Sequence, residues 1–149
     1  MSSGVAVSDE VKNCFQQVKM NTKSGSKLRY GVFKINDSLK DIVVDKSLMS
    51  TASESTREEP SHFMEVISGL PQDDGRYVVY DYPYTESYGD TSKLIFILWC
   101  PNAISIKRKM LYASSKDALK KVMSEVTEFQ ADCADDLQHK DITSKLRRV

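Results

Sequence analysis

Residues 94–100, LIFILWC, are apolar at every position. A strand with one wet face alternates apolar and polar side chains, so an unbroken run implies cover on both faces. The run is far too short for a membrane span, which takes about 20 apolar residues. It therefore predicts a central strand with helices packed above and below it. Pro101-Asn102 ends it.

The flanking segments supply the material for those layers. Ser8-Asp9-Glu10 reads as a helix start, a capping hydroxyl followed by two acids at the positive end of the dipole. Val11, Cys14, Phe15 and Val18 then recur at i, i+3, i+4 and i+7, predicting a helix to about Met20. A polar turn over 21–27 leads to strands at 30–35 and 41–45, joined by Asn36-Asp37-Ser38. Residues 47–60, SLMSTASESTREEP, read as a flexible surface loop. A short helix follows over 61–69 with Phe63, Val66 and Ile67 inward and Gly69-Leu70-Pro71 as its stop. Beyond it come a strand at 76–82 and a turn-rich connection at 83–90. After the central run, a long helix is expected over 105–127, a short strand over 128–132 and a last helix over 136–146. The order predicts an α/β (α+β) fold, a central mixed sheet with helices on both faces. With 149 residues, one domain over 1–149 is expected.

The long helix carries two incompatible faces. Leu111, Ser115, Ala118, Leu119, Val122 and Val126 fall on one side at helical spacing, as a core-facing stripe should. Ile106, Met110, Ala113, Asp117 and Lys121 lie opposite, flanked by Lys107, Lys109, Lys116 and Lys120. A helix that only covers a sheet has no need for Ile106 and Met110 on its outer side. An apolar strip rimmed by lysines is the pattern of a docking surface. Positive charge also gathers at the helix start, where the dipole disfavours it, a cost that an acidic partner would offset.

Other chemistry finds little support. Lys+Arg and Asp+Glu number 21 each, so attraction to nucleic acid or an anionic membrane would have to come from a local patch. His62 and His139 lack metal-ligand spacing with cysteines or acids, and no metal or other cofactor is expected. Cys14, Cys100 and Cys133 are odd in number and widely spaced, as suits reduced thiols in a cytosolic protein. No glycine-rich phosphate loop occurs. The pairs Glu58-Glu59, Asp73-Asp74 and Asp135-Asp136 read as solvated or capping charge, so no catalytic residue is assigned. Residues 1–10 show no secretory pattern.

A series of segments, in order, resembles the actin-depolymerising factor/cofilin family over nearly the whole chain. They are Ser3-Gly4-Val5, the strand from Arg76-Tyr77 to Asp81-Tyr82, 93–101 (KLIFILWCP), the helix core 110–119 (MLYASSKDAL) and Phe129-Gln130-Ala131. The resemblance implies a mixed, mainly antiparallel sheet of about five strands, the gelsolin-like fold of this family, sandwiched between helix pairs. It implies a monomer that binds actin monomers and filaments, prefers the ADP-loaded form, and promotes severing and disassembly in the cytoplasm. By that resemblance the monomer-binding surface comprises Ser3, Gly4, Val5, Lys107, Lys109, Met110, Ser114, Lys116, Asp117, Lys120 and Lys121, with Ile106 adding apolar contact. A filament-only surface comprises Lys93, Lys145 and Arg148, while a neighbouring basic position is Thr91 and an acidic one is Ser144.

Ser3 is the implied phosphosite, since a phosphate would add about −1.5 to −2 charges to a tail that must lie against an acidic partner. Phosphoinositides are expected to compete for the lysine cluster. Two alternatives stay open: a phosphoinositide or other acidic-ligand binding module that uses the same lysines, and an actin binder with weak severing. Lys107-Arg108-Lys109 is too short to assign nuclear import.

Overall fold

The computed structural model describes residues 5–19, 28–48, 60–123 and 125–148. The turn over 21–27, most of the 47–60 loop, and Ser3 and Gly4 lie outside the described residues. Within them, the apolar run is the second half of strand β5 (Gly89–Trp99). It pairs antiparallel with β4 (Arg76–Glu86) and parallel with β6 (Thr127–Ala131). With β1 (Ala6–Val7), β2 (Tyr30–Ile35) and β3 (Asp41–Val44), the sheet runs β1-β3-β2-β4-β5-β6. The inner pairs are antiparallel and the two outer pairs parallel. The strand beyond the expected five is β1, too short to leave a periodic signal.

Alternation along β5 sorts the core into two layers. Phe96 and Leu98 pack with Val11, Cys14, Phe15 and Val18 of α1 (Asp9–Lys19) and with Tyr112 and Leu119 of α3 (Ile106–Lys120). Ile95, Ile97 and Trp99 pack with Phe63 and Ile67 of α2 (Pro60–Ser68) and with Ile142 and Leu146 of α4 (His139–Arg148). Both faces of the run are therefore covered, each by a helix pair, as its composition demands. The β2–β3 turn is organised by Asn36, whose Oδ1 accepts from the N–H groups of Lys40 (3.1 Å) and Asp41 (3.2 Å).

Four local expectations are corrected. Segment 83–90 is not a loose connection: β4 continues to Glu86, and Ser87-Tyr88 turns directly into β5 with Gly89 at φ 126°. Pro83 is tolerated because Asp81 N–H points toward Arg29 O, so the donor missing two residues on faces away from β5 and breaks no bond of the β4–β5 ladder. The long helix stops at Lys120 rather than near 127. Val122 and Val126 extend its apolar period because they still pack on the core, but Glu125 at φ 61° turns the chain so that Thr127 can pair with Ile95.

The last helix is split into a 3-10 turn, Ala134–Leu137, and α4. Leu137 and Ile142 lie further apart than an i, i+4 step, and extended Gln138 separates the two pieces. Ser8, finally, caps α1 through its carbonyl, which accepts from Val11 N–H at 3.2 Å, while its hydroxyl has no hydrogen-bond partner among the described residues.

Candidate binding surface on helix α3

Helix α3 begins at Ser105, whose hydroxyl accepts from Arg108 N–H at 3.2 Å. Its inner side buries Tyr112, Ser115 and Leu119. Tyr112 was no part of the expected stripe, yet it anchors the helix. Its hydroxyl accepts from Ile35 N–H at 3.1 Å, and its carbonyl accepts from the Tyr77 hydroxyl at 2.5 Å. Gly75 makes room for it, since a Cβ there would sit 2.9 Å from the Tyr112 ring.

The opposite side holds Ile106, 76% exposed, and Met110, 66% exposed. Ala113, Ser114, Asp117 and Lys121 are also exposed along it. Large apolar groups are thus held in water on a helix fixed from beneath, the arrangement that the two-faced pattern predicts.

The cations around the strip have different fates. Arg108 turns inward: its Nε and NH2 lie 2.9 and 2.8 Å from Asp74 Oδ1, and its guanidinium sits 5.7 Å from the Tyr112 ring centre. Asp74 Oδ2 takes Arg76 at 3.0 Å, and Arg76 Nε reaches Asp45 Oδ2 at 2.8 Å. Partial burial pushes the Asp74 carboxyl up, but the bonds from Arg76 and Arg108 outweigh it and hold the group below the usual carboxylate range. This Asp45–Arg76–Asp74–Arg108 chain fastens the first turn of α3 to the start of β4. Asp74 is therefore a structural link, not the solvated charge expected of it. Nothing local could reveal that, because the two partners lie 34 residues apart.

Lys107 stays exposed, while Lys109 Nζ lies 3.4 Å from Asn102 Oδ1. Lys116 and Lys120 instead converge on Glu128 of β6, at 3.3 and 2.9 Å. Glu128 is a second residue that sequence reasoning missed. Val5, expected at the docking surface, is 5% exposed and belongs to the α1–α3 core. The adjoining β1 touches α3, so the chain enters the sheet beside this helix.

The second expected surface gathers at the end of α4, across the sheet from α3. Lys93 Nζ donates to Leu146 O at 3.1 Å, and Lys145 Nζ bonds the carbonyl of Glu128 while lying 4.7 Å from the Phe129 ring centre. Arg147, not singled out in advance, donates to Thr85 O at 2.7 Å at the far end of β4. Arg148 ends α4, and its side chain lies outside the described residues.

Neither histidine is near a metal-like cluster: His62 Nδ1 faces the Tyr80 hydroxyl at 2.7 Å and His139 Nδ1 the Tyr82 hydroxyl at 2.5 Å. Among the described residues no group of three or more His, Cys, Asp or Glu could hold a metal ion. Burial pushes the Cys14 thiol up to about 11, with Glu10 adding to the shift, which leaves it unreactive. No described helix is long and apolar enough to cross a membrane.

Comparison with known proteins agrees with this architecture. Residues 4–147 match the family model described as cofilin/tropomyosin-type actin-binding protein. The chain is 37% identical to a cofilin of Ogataea parapolymorpha, over 99% of this chain and 95% of that one. It is likewise 37% identical to a cofilin of Schizosaccharomyces pombe, over 98% and 97% of the two chains. The crystal structure of Plasmodium berghei actin depolymerization factor 2 superposes with a TM-score of 0.77 at 27% identity, covering 100% of both chains.

Proposed function

The chain belongs to the actin-depolymerising factor/cofilin family, and from that premise we propose that it binds actin through the outer face of α3 and promotes filament severing and depolymerisation. The observation that carries this reading is the exposure of Ile106 and Met110 on a helix anchored by Tyr112 and by the Arg108–Asp74 link. Met110 is adaptable packing material suited to a protein cleft. Lys107, Lys109 and Lys121 supply the positive rim, and Ser114 and Asp117 the polar contacts between. Lys116 and Lys120, paired with Glu128, flank this rim and add less to it than the other three lysines. No catalytic step is involved: a ligand that prefers one filament twist shifts that equilibrium and weakens boundaries with bare segments. The cytoplasmic actin cytoskeleton is its place of action.

The test is actin co-sedimentation with Lys107→Ala/Lys109→Ala. Binding is expected to be lost with the urea midpoint unchanged, and undiminished binding would remove α3 as the docking face. Single-filament fluorescence microscopy then reads severing directly.

Regulation is proposed at Ser3 and by phosphoinositides that compete for the exposed lysines. A Ser3→Glu variant is expected to bind actin more weakly than wild type, as measured by co-sedimentation, and equal affinity would remove Ser3 as the switch.

A further inference from the structure

Three ammonium groups surround Glu128. Its carboxylate takes Lys120 Nζ at 2.9 Å and Lys116 Nζ at 3.3 Å, and its carbonyl oxygen accepts from Lys145 Nζ. Lys116 and Lys120 stand one helical turn apart, so their side chains converge on the same flank of α3. That flank borders the strip of Ile106 and Met110. Partial burial pushes the Glu128 carboxyl up, yet the bonds from Lys120 and Lys116 outweigh it and hold the group below the usual range. It is therefore a full negative charge at neutral pH.

Exposed ion pairs of this kind add little to stability, so the fold does not depend on it. Its effect on the surface field is larger. The chain carries 21 basic and 21 acidic residues, and any attraction to an anionic surface must come from a local excess. A carboxylate between two rim lysines removes part of that excess where an acidic lipid surface would act.

We propose that Glu128 is a specificity-determining residue of the α3 face, an internal counter-ion that holds Lys116 and Lys120 away from anionic lipid and leaves recognition to the apolar strip. This rests on α3 being the actin-binding face. A partner that packs on Met110 and Ile106 and takes its charged contacts from Lys107, Lys109 and Lys121, outside the clamp, loses little from it. A charged bilayer, which reads summed charge over a Debye length, loses one unit in full.

The test compares wild type with Glu128→Gln in sedimentation with phosphatidylcholine–phosphatidylserine vesicles, and separately with actin. One charge at an anionic bilayer is worth about fivefold, so Glu128→Gln is expected to bind the mixed vesicles about five times more tightly. The gain should vanish on pure phosphatidylcholine, and the triple variant Glu128→Gln/Lys116→Gln/Lys120→Gln, with one net positive charge fewer than wild type, should bind the mixed vesicles about fivefold more weakly than wild type. Actin affinity of Glu128→Gln should change by less than about twofold. Equal vesicle binding by wild type and Glu128→Gln overturns the proposal. So does a gain that survives in the triple variant, or actin binding tightened as much as vesicle binding. Lys107→Ala/Lys109→Ala is the independent arm: retained actin binding there defeats the α3 reading, whereas the vesicle arms report on Glu128 alone.

Discussion

The outer face of α3 and the end of α4 carry similar charge and use it in opposite ways. On α3, Lys107 and Lys121 are exposed beside two large apolar side chains held in water. At the end of α4, Lys93, Lys145 and Arg147 each donate to a backbone carbonyl of another element, those of Leu146, Glu128 and Thr85. The first arrangement costs the free protein exposed apolar area and brings it no internal contact. The second stitches the α4 layer to β4, β5 and β6 and caps carbonyls that would otherwise face water alone. A surface kept unsatisfied is built for a partner, while cations already spent on carbonyls must break internal bonds before they meet one. Actin recognition should therefore fail sharply when α3 is altered and only gradually when α4 is.

Met110→Ser is the sharpest way to break that contrast. Burying a methionine side chain is worth about 1.5–3 kcal/mol, so actin affinity should fall about tenfold or more in co-sedimentation. Met110 is 66% exposed in the free protein, and the unfolding free energy should stay within about 0.5 kcal/mol of wild type. A variant that keeps wild-type affinity would show that the face works by charge alone.

Asp74→Asn tests whether α3 must be held rigidly to act. The neutral amide keeps the shape but loses the charge-assisted bonds to Arg76 and Arg108, at a cost of about 1–3 kcal/mol in urea unfolding at neutral pH. The Asp74 carboxyl is held below its usual range in the fold, so its contribution is fully present above the unfolded value of about 3.9. It is lost as pH falls through the depressed folded value. The gap between wild type and Asp74→Asn should then close in acid, and a gap that persists there would assign the effect to packing instead.

Much of this contrast was legible before any coordinates. Seven consecutive apolar side chains require two covered faces, and the i, i+3, i+4 spacing of Val11, Cys14, Phe15 and Val18 names the side of α1 that supplies one of them. The outward placement of Ile106 and Met110 also follows from helical period alone. What stayed hidden depends on pairings across long loops. Arg108 and Lys107 are neighbours of like charge, and Asp74, brought near by the β4 start, decides that one sinks and the other stays exposed. Lys116 and Lys120 read as rim charges because Glu128 reaches them only once β6 has docked beside β5. The family resemblance places Val5 at the surface, and the two-residue strand that follows it leaves no period to mark its inner side.

Lys145→Ala probes the other side of the comparison, with the smallest expected effect. The side chain bonds the Glu128 carbonyl and covers the Phe129 ring at the edge of the sheet, where β6 is the outermost strand among the described residues. A lysine so placed blocks an edge strand from pairing with another chain. Removing it should lower stability by about 0.5–1 kcal/mol, the scale of one net hydrogen bond and an exposed cation–π contact. Filament co-sedimentation should weaken by no more than about threefold, because the ammonium has to leave two internal partners before it contributes outside. A tenfold loss on filaments with stability intact would reverse the contrast, making the end of α4 a docking surface in its own right and its carbonyl bonds only a resting position.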